Sequence, residues 1–298
     1  MHLLMLIGTF FWASNIIAGK VVLRSMPSIA LAQIRVTGAA VIFLALFAFW
    51  RRPSPLRLSA RDLGYLAATA LFGITLNQIF FIGGIGRTSA AHAGLIVALG
   101  PVMVLILSSA MRLEPLTLLK SVGAAISLGG VVVLTTGKPS PGSDATVYGD
   151  VIMLLGTAVF AYYTILLKKV ANRYDAVTLN AIIFVLGATM MLPVSARALF
   201  AVDWAALPAD AWWSIAFIVT CGSVLAYLIY AFALTELTAS RVAAFNYLQP
   251  VIAAALGVWL LAEGITRQAI AGGALILFGV YLTEREGREQ DALAAEQR

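Results

Sequence analysis

Within long apolar runs, a few side chains stand out as able to hold a small solute. Trp12 and Asn15 lie three apart, as do Asn246 and Gln249 just before Pro250, so each pair shares one face of a helix. Gln78, Tyr163, Tyr227 and Tyr247 also sit in apolar surroundings, and Arg35 is the only cation well inside such a run. Amides in hydrocarbon are costly unless they meet a partner helix or a wet cavity. The chemistry of this set is therefore non-covalent: hydrogen bonds from Asn15, Gln78, Asn246 and Gln249, and aromatic walls from Trp12, Tyr163, Tyr227 and Tyr247. Asn77 and Gln78 are adjacent, so at most one of them is expected to face a cavity. For Arg35 three roles stand open: binding a substrate carboxylate, fixing helices through carbonyl oxygens, or snorkelling to the interface.

Bond-making chemistry lacks its parts. It would need a Ser with His, paired Asp residues or a zinc motif such as H-E-x-x-H. The chain has two histidines, His2 and His92, and no Asp or Glu in the middle of an apolar run. An enzyme is not expected, nor a metal or other cofactor. With no mid-run carboxylate to carry a proton or sodium ion, uniport or exchange is the expected mode. The single cysteine, Cys221, reads as a small core residue.

The elements that must position these residues follow from composition. Of 298 residues, 61% are hydrophobic and only 11% charged, with mean hydropathy +0.94. Soluble domains carry roughly 25% charged residues, so the solvent of this chain is lipid. A bilayer core of about 30 Å takes about 20 apolar helical residues. Ten runs meet or approach that length: Leu3–Val22, Ser28–Phe49, Asp62–Ile82, Ala90–Met111, Leu118–Thr136, Tyr148–Leu167, Ala176–Ala196, Ala211–Leu234, Ser240–Leu261 and Arg267–Thr283. The first lacks a basic leader and a small-residue cleavage site, so it reads as a membrane helix and not a signal peptide. The expected fold is an all-α integral membrane protein with ten transmembrane helices.

Basic residues set the orientation. With the N-terminus in the cytoplasm, 13 Lys and Arg fall on the inner side and 6 on the outer, which points to both termini inside, in the cytoplasmic membrane. The net charge of +6 is thereby read as topology and not as nucleic-acid binding. The expected partners are a small-molecule substrate and the lipid bilayer, with the chain a monomer or homodimer. A channel would need a continuous polar ring, and a receptor an extended soluble segment; neither pattern is present.

The most specific feature is internal. A shift of 149 residues lays Ala90–Leu134 over Ala239–Thr283 without a gap, matching Pro101 with Pro250, Glu114 with Glu263, Thr117 with Thr266, Gly123 with Gly272 and Gly130 with Gly279. Each copy holds five spans. Five is odd, so the second copy starts on the opposite side of the membrane, and the halves are expected to be inverted repeats. The units are 1–137, 147–283 and a charged cytoplasmic tail, 284–298. The W-A-S-N stretch at Trp12–Asn15 and the paired P-x12-E-x2-T-x5-G-x6-G blocks resemble the EamA branch of the drug/metabolite transporter superfamily. That resemblance implies a central cavity between two five-helix halves and export of amino acids, aromatic ones among them, or other small metabolites by alternating access.

Four further expectations follow. Pro101 and Pro250 fall mid-span and each removes a backbone hydrogen bond, making them kinks that free a carbonyl. Thr117 and Thr266 read as N-caps, with Glu114 and Glu263 favouring the positive helix start over a salt-bridge gate. The four matched glycines read as scaffold or dimer contacts. His92 reads as an interface residue in preference to a proton relay.

Overall fold

The computed structural model describes residues 1–49, 59–111, 117–135, 146–171, 173–237, 242 and 245–296. For His2, Ala60, Thr135, Asn246, Tyr247, Val280 and 283–296 it describes the backbone only. Glu114 therefore lies outside the described residues, as do the side chains of Asn246 and Tyr247.

The described chain is all helical. Helices α1 (His2–Val22) and α2 (Ser28–Phe49) are followed by α3 (Ala60–Ala70), a π-helical segment (Leu71–Leu76) and α4 (Asn77–Ile85), which run on as one stretch. Next come α5 (Ala90–Val97), α6 (Gly100–Ala110), α7 (Leu118–Thr135), α8 (Val147–Val170) and α9 (Ala176–Phe200). Helix α10 (Ala209–Val219), a second π segment (Thr220–Leu225) and α11 (Ala226–Glu236) form another continuous stretch. A 3-10 turn (Phe245–Leu248) then leads into α12 (Gln249–Leu261), and α13 (Arg267–Glu296) closes the chain.

Among the described residues, seven stretches are long and apolar enough to cross a membrane: Leu3–Val22, Ser28–Phe49, Arg61–Ile85, Ala90–Ala110, Val147–Val170, Ala176–Phe200 and Ala209–Glu236. Leu118–Leu134, Gln249–Leu261 and Arg267–Gly279 are apolar but shorter. Within the expected ninth span, a 3-10 turn from Phe245 to Leu248 gives way to α-helix at Gln249, and Pro250 occupies the first turn that lacks partners for its N–H groups in any case. Pro101 does the same at the start of α6, after the chain leaves the helix at Ala98 and Leu99. Neither proline sits inside an unbroken helix. The backbone of the charged tail continues α13 to Glu296.

Element boundaries repeat at the 149 spacing. Ala60–Ala70 and Leu71–Leu76 correspond residue for residue to Ala209–Val219 and Thr220–Leu225. Helices α7 and α13 pack along the matched glycines: a Cβ on Gly130 would lie 2.7 Å from the Gly272 carbonyl oxygen, and one on Gly279 would strike the Gly123 carbonyl. Ser127 Oγ donates to the Ile276 carbonyl across the same seam at 3.1 Å. The glycines therefore serve a contact within the chain. Thr117 and Thr266 cap α7 and α13, accepting from Lys120 N and Ala269 N.

Candidate functional site

A cavity of about 60 Å³, enough for a few waters, lies where α1, α2, α4, α8 and α11 meet the broken helices α5–α6 and α12. Trp12, Asn15, Arg35, Gln78, Tyr227 and Gln249 line it, all of them expected site residues. Asn77, Phe81, Gly156, Thr157 and Phe160 join them, with Val97 and Gly100 at the α5–α6 break.

Gly222 is the centre of the polar wall. It sits in the second π segment, and its carbonyl oxygen accepts from two side chains. Trp12 Nε1 donates to it at 3.2 Å and Arg35 Nη2 at 3.0 Å. Arg35 Nε donates to Ser223 Oγ at 2.7 Å. A Cβ on Gly222 would lie 2.6 Å from Asn15 Oδ1, so only glycine admits the Asn15 amide at this position. Arg35 is 2% exposed, which excludes snorkelling to the interface. Its guanidinium lies 5.8 Å from the Phe81 ring centroid.

The second polar edge comes from α4. Gln78 Nε2 donates to Tyr227 Oη and to Asn77 Oδ1, both at 3.1 Å, while Asn77 Nδ2 donates to the Gly156 carbonyl at 3.1 Å. Both amides line the cavity, correcting the expectation that only one could. They stand at the junction of the first π segment and α4. A π turn takes more residues than an α turn, so neighbours there lie closer in angle. Trp12, Phe160, Tyr227 and Tyr230 form an aromatic cluster, with Trp12 and Tyr227 edge-to-face at 5.8 Å. Tyr163 belongs behind that wall: it is fully buried, tilted against Phe160 with ring centroids 5.1 Å apart and seated against Gly73, and does not line the cavity. Gly73 and Gly222 are 149 apart, a signal in the sequence that could have drawn attention to both.

At the end of the bundle away from the N-terminus, charged groups close the packing. Glu263 pairs with Lys20 at 3.0 Å and accepts from Ala90 N at 2.7 Å. Its carboxylate thus serves the start of α5, not the start of its own following helix as expected. Ala262, in the left-handed conformation at φ 53°, turns the chain so that Glu263 reaches there. Nearby, Asp150 accepts from Thr88 and pairs with His92 Nδ1 at 3.0 Å. His92 and Asp150 are 4% and 2% exposed, so His92 is a buried partner and not an interface residue. Thr146 N donates to the Arg87 carbonyl at 2.9 Å, joining the same end.

The family model for EamA-like transporters matches twice, over residues 1–136 and again over 147–285. The chain belongs to the EamA-like transporter family. This EamA chain is 30% identical over 279 residues to an uncharacterized transporter of Archaeoglobus fulgidus, covering 93% of the chain and 95% of the relative. It is 25% identical over 285 residues to a probable terminal-alkyne amino-acid exporter of Streptantibioticus cattleyicolor, covering 94% and 93%. A solved structure described only as a crystal structure of a protein shares the fold, with TM-score 0.65, 17% identity and 97% coverage of both chains. This EamA protein is thus a multi-pass membrane protein from a family of transporters of small solutes.

Proposed function

We propose that this EamA-family protein is a secondary transporter that exports small metabolites, amino acids foremost, across the cytoplasmic membrane by alternating access. In this reading ten spans form two inverted five-helix halves, 1–137 and 147–283. The observation that carries it is the cavity. Its wall is made by both halves, and the Gln78–Tyr227 hydrogen bond across it joins positions 149 apart. A contact between equivalent residues is what a pseudo-two-fold axis through the cavity requires. The repeated element boundaries and the glycine seam support the same axis, and the amino-acid exporter among the relatives supports the substrate class. With the N-terminus cytoplasmic, the charge-closed end faces outward, and Pro101 and Pro250 mark the breaks about which α6 and α12 would move.

The test is flux of labelled amino acids, nucleosides and sugars in proteoliposomes of purified protein. Saturable, competable flux of amino acids, lost in Gln78→Ala and Asn246→Ala variants that still fold, is the expected result. Full flux in Gln78→Ala would remove the cavity from the transport path, and full flux in Asn246→Ala would remove that residue from the site. Flux confined to nucleosides or sugars would overturn the amino-acid assignment and leave the transporter reading in place.

A further inference from the structure

We infer that the ligand of this cavity carries a carboxylate, which Arg35 binds, and that an amino group on the ligand is dispensable. The inference rests on the reading of the cavity as the transport site and names what that site selects. Arg35 spends Nε on Ser223 Oγ and Nη2 on the Gly222 carbonyl, while Nη1 is buried without a hydrogen-bond partner in the protein. Among the described residues no carboxylate pairs with Arg35; the three ion pairs present all lie elsewhere. Removing a guanidinium from water without a counter-charge is costly, and a cation–π contact with Phe81 offsets only part of it. A purely structural role does not explain the choice of residue. Pinning α2 to the second π segment uses two donors and no net charge, whereas guanidinium geometry suits a planar oxyanion.

The neighbours fit the same ligand. Asn15, 1% exposed, has both amide atoms unpartnered, so in either orientation it offers one donor and one acceptor. Asn15 and Arg35 converge at Gly222, which puts the Asn15 amide within reach of a ligand oxygen held by Arg35. Gln78 Oε1 is a further unpartnered acceptor, suited to an N–H or O–H of the ligand but neutral. The lining contains one cation and no Asp or Glu. A free acid therefore balances the site, a zwitterion is accepted, and an amine is repelled. Trp12, Phe160 and Tyr227 supply an apolar, aromatic surface for the body of the ligand.

The experiment uses purified full-length protein in detergent, with binding read by thermal stabilisation and by displacement of labelled phenylalanine. The probes are matched sets: phenylalanine, 3-phenylpropionate and phenethylamine, and leucine, 4-methylvalerate and isoamylamine. At least one set should show binding by both acids and none by the amine at the same millimolar concentration. Arg35→Gln should weaken acid binding about tenfold or more, about 1.4 kcal/mol, and Arg35→Lys should recover part of it. An amine that binds as well as its acid, acids that all fail to bind folded protein, or undiminished acid binding in Arg35→Gln would each overturn the inference. The two readings fail separately. Arg35-dependent acid binding without flux sinks transport but keeps the carboxylate site; amino-acid flux that amines inhibit equally well does the reverse.

Discussion

Two groups of buried charge stand within one bundle, and they are finished differently. At the closed end, Lys20 meets Glu263, His92 meets Asp150, and Glu263 also takes the Ala90 N–H. At the cavity, Arg35 faces no carboxylate among the described residues, and Asn15 and Gln78 keep unpartnered atoms. A charge that the protein itself completes holds helices together; one left incomplete waits on something else. The contrast separates scaffold from binding surface without reference to which residues are most polar, since both groups are.

The largest effect should come at the closed end. Glu263→Ala strands the Lys20 ammonium, 15% exposed, and removes the acceptor of Ala90 N, a loss of about 3–5 kcal/mol. Thermal unfolding in detergent should show it as a marked fall in Tm. Combining Lys20→Met with Glu263→Gln should return most of the stability, because no charge is stranded and Ala90 keeps an acceptor. If the single variant unfolds like wild type, the closed end is not held by its charges and the contrast collapses.

Gly222→Ala should come next, at about 1–3 kcal/mol for overpacking, because the new methyl meets Asn15 Oδ1. Its flux should fall more than its stability, since the displaced groups line the cavity. Equal losses in both would mean that Gly222 serves packing alone.

The smallest effect on folding should come from Arg35→Met, within about 1 kcal/mol. Ser223 Oγ keeps its bond to the Ile218 carbonyl, and the Gly222 carbonyl keeps Trp12. Deleting one buried charge thus costs several kcal/mol at the closed end and little at the cavity. A Tm drop for Arg35→Met as deep as that of Glu263→Ala would show the two regions to be alike.

The sequence made much of this legible where punctuation is local. Charges and turn residues bound Leu3–Val22 and Ser28–Phe49, and those helices stand within a residue of the apolar runs. Six of the nine expected binding residues line the cavity, because an amide in an apolar run has few places to go. What escaped depends on contacts between distant elements. His92 reads as an interface residue because its partner, Asp150 in the first turn of α8, lies 58 residues on and meets it only when the helices pack. Glu263 reaches α5 only because Ala262 turns the chain left-handed, which no propensity of alanine foretells. The paired role of Asn77 and Gln78 was hidden by a π turn, to which an α-helical wheel is blind.

The seam between α7 and α13 carries a consequence for how such a chain can diverge. Gly130 lies against Gly272 and Gly123 against Gly279 at backbone distance, and every other amino acid is larger than glycine. No replacement at these positions is conservative, and no compensating change on the facing helix can make room, because the facing residue has no side chain to shorten. The two halves are free to drift apart along the cavity wall, where asymmetry can tune a ligand. Along the seam they remain bound to a shared inheritance, each copy enforcing the other's emptiness.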